Sequence, residues 1–172
     1  MILFAEKWVR KPNSEGKGFL HAWVESGDTE YPILFETRGV SVDAVSFDDE
    51  QEWEVVLECA DRPKIYSDEA SFLESEEQSP MDMESAIPIG LLLLNGKVGN
   101  EPFPGIVLSG IVERIYDDPS QYGFADGDLL YSVSCMEHEY LAVLKAEHTS
   151  DVVISEGDIV SGAYLVQGRL KA

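Results

Sequence analysis

The side chains best suited to chemistry in this chain are carboxylates, and they come in two runs. Asp48, Asp49 and Glu50 are consecutive and are followed by Glu52; Glu74, Glu76, Glu77, Asp82 and Glu84 form the second dense stretch. Carboxylates held on a β scaffold can pair with the Lys and Arg of a basic protein and so occupy the places that phosphates take in a cationic groove. The plainer outcome for such runs is a solvated loop. Trp8 lies between Lys7 and Arg10 and is the aromatic best placed to anchor a contact at the surface. Trp23 and Trp53 fall in strand-like runs and are expected in the core.

Other chemistry has less support. The three histidines, His21, His138 and His148, show no H-x-H, HExxH or CxxC spacing around them. In a strand, Glu137, His138 and Glu139 would point alternately to opposite faces and could not converge on one ion. Two surface histidines near turns is the simpler account of His138 and His148, so no metal is expected. Cys59 and Cys135 sit in apolar runs with no flanking motif and read as buried free thiols rather than nucleophiles. Chance carboxylate pairs are unavoidable among 33 acidic residues, so none can be chosen as a glycosidase pair. Asp126-Gly127-Asp128 lacks the remaining ligands of a calcium loop. No cofactor is expected, and an enzyme dependent on carboxylates or a metal is the third choice among functions.

The charge balance bears on partners. Twelve basic residues face 33 acidic ones among 172, a formal net charge of -21. Residues 1–88 hold 7 basic and 21 acidic residues against 5 and 12 in residues 89–172, so the excess is concentrated in the first half. A surface of this sign repels phosphate backbones and anionic lipid, which argues against nucleic acid and membrane and for a basic protein partner. The start of the chain has no basic stretch leading into a long apolar one, and the apolar block from Ile87 to Leu94 is broken by Pro88 and Gly90. A cytoplasmic location is therefore expected.

Short strand-like runs dominate the elements that must position these residues. In the first half they are Ile2–Ala5 with Trp8-Val9, Gly18–Val24, Tyr31–Phe35, Val40–Phe47 with a slip near Ala44, and Trp53–Cys59. Pro32 points to a strand start or an edge. Between Tyr66 and Pro88 the pattern changes: Ser71-x-x-Glu74 fits a capping box, and Ser79-Pro80 fits a second helix start that Pro88 would end. Asn95-Gly96 is a hairpin signal, Ile106–Tyr116 a long strand with Gly110 at a bend, and Leu129–Cys135 with Tyr140–Leu144 a hairpin around Glu137–Glu139. Val152–Ile154, Ile159–Gly162 and Tyr164–Gly168 complete the chain. The expectation is a mostly β protein with one or two short helices. Its two β-rich halves, 1–66 and 89–172, are joined by an acidic connector, 67–88.

The long bent strand around Gly110, the hairpin Leu129–Leu144 and the closing segment Glu156–Gly162 together resemble an OB-type barrel. That resemblance covers the run from Gly105 to Gly168. It implies a small closed or partly closed barrel, and OB barrels often bind oligonucleotides or oligosaccharides. Oligonucleotide binding needs a basic groove, whereas this half has only Lys97, Arg114, Lys145, Arg169 and Lys171, spread along it. In charge and size the chain also resembles immunity proteins against nuclease toxins and proteins that mimic DNA. The function expected first is therefore a non-enzymatic, immunity-type inhibitor that masks a basic surface. The second is an accessory module whose barrel grips a small ligand or peptide.

Overall fold

The computed structural model describes residues 1–26, 29–75, 83–88 and 103–171. The protein is mostly β: among the described residues there are ten strands, one six-residue α-helix and three 3-10 turns. In chain order the elements are β1 (Ile2–Arg10), β2 (Phe19–Ser26), β3 (Thr29–Thr37), β4 (Gln51–Cys59), β5 (Lys64–Tyr66), α1 (Glu69–Glu74), β6 (Ser85–Pro88), β7 (Gly105–Tyr116), β8 (Leu129–Cys135), β9 (His138–Leu144) and β10 (Ile159–Leu170). Two compact units are present. The first comprises Met1–Val56, Pro88–Ile106 and Leu165–Ala172, and the second Leu57–Ile87 and Val107–Tyr164.

In the first unit β2 lies between β1 and β3, antiparallel to both. β1 also pairs with β4 at Ile2↔Glu52 and Leu3↔Gln51. Side chains alternate across the ladder, so Leu3, Ala5, Leu20, Ala22, Val24, Ile33, Phe35 and Trp53 share the inner face and are buried. Phe35 and Trp53 meet edge to face with centroids 5.1 Å apart. Pro32 sits inside β3 opposite Trp23, and the parallel pairing of β10 with β3 falls further along, at Gln167↔Glu36 and Gly168↔Thr37. A proline is tolerated there because no ladder bond is asked of its nitrogen.

In the second unit β8 pairs antiparallel with β7 and β9, and β5 pairs antiparallel with the start of β10. The β8–β9 register ends at Cys135↔His138, so the hairpin turn is Met136-Glu137 rather than Glu137–Glu139. Both turn residues have positive φ, 50° and 66°, which is the type I′ requirement met here without Asn or Gly. Met136→Asn with Glu137→Gly is expected to raise stability by about 1–2 kcal/mol, read as a higher midpoint in chemical denaturation. Gly110 is needed for a close approach: a Cβ there would stand 2.4 Å from the Ser134 carbonyl oxygen and 2.5 Å from Val133 Cγ1.

Several local expectations are corrected. Residues 40–47 form no strand. Val40 and Val45 are buried, but a 3-10 turn at Val42–Ala44 bends the chain between them and leaves Val42 exposed. The first connector helix begins earlier than the Ser71 signal: Asp68 is its cap and accepts from the Ser71 amide at 2.7 Å. Ser85–Pro88 is a strand rather than a helix end, and residues 152–154 are loop. The helix start at Ser79-Pro80 and the Asn95-Gly96 hairpin lie outside the described residues.

Candidate functional site

The first acidic run forms a braced loop. Asp48, Asp49 and Glu50 are all exposed and lead directly into β4. The Gln51 side chain holds the loop from within: its Oε1 accepts from the Ser46 amide at 2.8 Å and its Nε2 donates to the Ala44 carbonyl at 3.0 Å. Val45 is buried beneath and acts as the loop's apolar peg. Ser46 Oγ adds contacts to Asp49 Oδ2 and the Asp48 amide, each 3.3 Å. The same loop presents Phe47 with 44% of its surface exposed, so an aromatic stands among the carboxylates. Glu52 is the second residue of β4 and is engaged by Lys171 Nζ at 2.7 Å.

Ile2, the cross-strand partner of Glu52, opens the outer face of the first unit and is 58% exposed. Phe4 follows on that face at 36% exposed, opposite Trp23, which in turn lies opposite Pro32. A β-bulge then re-aims the next side chain. Ala5 pairs with Ala22 and Lys7 with His21, leaving Glu6 as the extra residue between them. Glu6 Oε2 accepts from Trp23 Nε1 at 2.9 Å and lies 2.6 Å from His21 Nδ1. The second contact is close in distance but lacks hydrogen-bond angles, and His21 Nε2 has no partner among the described residues. His21 is only 7% exposed, and burial pushes its imidazole below the ordinary pKa against the pull of the Glu6 charge.

The bulge also decides where Trp8 goes. It reverses the alternation, so Trp8 pairs with Leu20 on the inner side, where it is half-buried with its indole N–H enclosed and unpartnered among the described residues. Trp53 is fully buried, whereas Trp23 remains half-exposed. Among the described residues of this unit, Phe47, Phe103 and Phe4 are the exposed phenylalanines, and Trp23 and Trp8 are each partly exposed.

The remaining candidates of the second acidic run belong to the other unit. Glu74 is exposed at the last position of α1, where the helix dipole disfavours an anion. Glu84 is exposed just before β6. Glu76, Glu77 and Asp82 lie outside the described residues. In the same unit Cys59 and Cys135 are buried free thiols, and burial pushes them up to about 11 and about 12, away from nucleophilic character. Cys59 Sγ lies 3.3 Å from Tyr131 Oη. An open groove of about 600 Å3 is lined by Tyr66, Ser67, Ser71, Asp151, Val153 and Asp158, among others. Among the described residues no three His, Cys, Asp or Glu side chains converge as metal ligands, and no helix is long and apolar enough to cross a membrane.

Comparison with known proteins gave no match to a family model, a curated protein or a solved structure. The geometry must carry the functional reading. It brings Asp48, Asp49 and Glu50 together and puts Glu52 beside Ile2. It adds Phe4, Glu6 and Phe47, which sequence reasoning did not single out, and Trp23, which it expected in the core and which is partly exposed. An unbroken alternation would have pointed to Ile2, Phe4 and Glu6 as one face; nothing local announces the bulge.

Proposed function

We propose that this chain is a partner-binding protein whose first unit docks a basic protein and masks its cationic surface, in the manner of an immunity-type inhibitor. The observation that carries this is Phe47 exposed within a braced loop of Asp48, Asp49 and Glu50. An apolar anchor ringed by carboxylates suits a protein surface, where a buried ring supplies affinity and charges supply rate and specificity. Bracing by Gln51 lowers the ordering cost on binding. The -21 net charge supports a basic partner and works against nucleic acid and anionic lipid. A cytoplasmic setting is part of the proposal.

The test compares retention of basic proteins from the source cell's extract, at low and high salt. The baits are the wild-type chain, a variant with Asp48→Asn, Asp49→Asn and Glu50→Gln, and Phe47→Ser. A specific basic protein should be retained at low salt and released at high salt, with retention reduced about tenfold by either variant. Retention indifferent to salt and to both variants would overturn the proposal. A second reading, a module that binds a small ligand or peptide, is favoured by the open groove beside Tyr66 and Asp151. It requires binding that survives neutralisation of the loop and is lost on changing Tyr66.

A further inference from the structure

We infer that Glu6, Phe4 and Trp23 form a receptor for an arginine side chain of the basic partner; this rests on the docking reading and names what the outer face recognises. The bulge at Glu6 is the starting point. It leaves Glu6 unpaired in the ladder, on the face it shares with Phe4, and its carboxylate accepts from the Trp23 indole N–H at 2.9 Å. Oε2 is thereby occupied, with His21 Nδ1 at 2.6 Å on the same atom. The imidazole is nine-tenths buried and offers no second partner, so it serves as a wall that keeps Glu6 turned toward the aromatics. Oε1 forms an ion pair with Lys7 Nζ at 3.9 Å, beyond hydrogen-bond distance, and the Glu6 side chain is 41% exposed.

The Trp23 ring meets this carboxylate, and a second ring, Phe4, lies across the ladder from Trp23. Phe4 and Trp23 are direct cross-strand partners and so share a face, with both partly open to solvent. An anionic oxygen at the edge of one partly exposed ring, with a second ring on the same face, is the complement of a planar, weakly hydrated cation: one N–H edge would meet the oxygen and the flat of the guanidinium would lie against a ring. An ammonium is more strongly hydrated and has no flat face to stack. The same two strands already show the contact within the chain. Arg10 and Phe19 are a cross-strand pair further along the same ladder, and the Arg10 guanidinium carbon sits 4.0 Å from the Phe19 ring centroid.

The test is an NMR titration of the 15N-labelled full chain with N-acetyl-arginine amide, N-acetyl-lysine amide and N-acetyl-citrulline amide. The Trp23 indole N–H signal, assigned by its loss in Trp23→Phe, is the reporter. The arginine probe should shift it saturably and bind at least about fivefold more tightly than the lysine probe, with no saturable shift from citrulline. Glu6→Gln and Phe4→Leu should each weaken the arginine response, while the neutralised 48–50 loop should leave it unchanged. A citrulline response equal to that of arginine, or an arginine response unaffected by Glu6→Gln in a folded variant, would overturn the assignment. Loss of arginine recognition with salt-sensitive protein docking intact removes this inference alone; the reverse pattern removes the docking reading instead.

Discussion

Asp128→Ala is expected to destabilise the protein by about 3–5 kcal/mol in chemical denaturation. Asp128 closes the turn before β8 and its side chain is almost wholly buried. Its Oδ2 accepts from the Ala125 amide at 3.2 Å and its Oδ1 from the Ala146 amide at 3.0 Å, so one carboxylate joins the turn to the chain leaving β9. Lys145 Nζ adds a third donor at 3.3 Å and also lies 5.5 Å from the Phe124 ring centroid. Lys145 is about a third exposed, so its share is discounted for solvent screening, and most of the expected loss comes from the two backbone amides left without an acceptor. Asp128→Asn keeps one acceptor oxygen and turns an NH2 toward a donor, so it should fall between the wild type and Ala. Lys145→Met separates the ion pair from the amides and should be much milder than Asp128→Ala. Equal losses from Lys145→Met and Asp128→Ala would show that the charge, rather than the amide network, holds the two segments together.

That network shows where sequence reading stops. Asp126-Gly127-Asp128 is legible as a turn from residue types alone. Burial of the Asp128 carboxylate depends on Ala146, eighteen positions away, which only the fold brings near. The strand from Trp53 to Cys59 was legible because its alternation is clean: Trp53, Val55, Leu57 and Cys59 are buried while Glu52 is exposed. The valines of 40–47 alternate too, yet Val40 and Val45 are five positions apart and one 3-10 turn satisfies both. Here apolar spacing could not distinguish a strand from a loop with two pegs. The acidic loop was readable as charge, but its bracing by Gln51 was not, since a glutamine beside acidic residues carries no such signal. The cluster of Glu6, Phe4 and Trp23 depends on a ladder between strands and on one inserted residue, neither of which is a property of any local run.

Trp53→Ala should cost about 3–5 kcal/mol, and its second consequence bears on docking. Trp53 is among the largest fully buried side chains and packs edge to face on Phe35, so truncation opens a cavity that the surrounding strands can only partly fill. Its backbone amide donates to the Met1 carbonyl at 2.7 Å, which ties the start of β4 to β1 beside Ile2↔Glu52. The braced loop enters β4 two residues earlier, at Gln51, so the frame that positions Phe47 and the carboxylates is anchored through Trp53. Hydrogen exchange should therefore quicken at the amides of Ser46 and Trp53 in Trp53→Ala beyond the change set by global stability, with Trp53→Phe recovering most of the protection. If both amides exchange only as fast as the lowered global stability dictates, the loop is braced by Gln51 alone. Docking would then survive core truncation wherever the chain remains folded. If exchange quickens locally, affinity for a basic partner should fall in Trp53→Ala even under conditions where the variant is fully folded. Every surface carboxylate would still be present, because what the core supplies to the site is the fixed spacing of its charges.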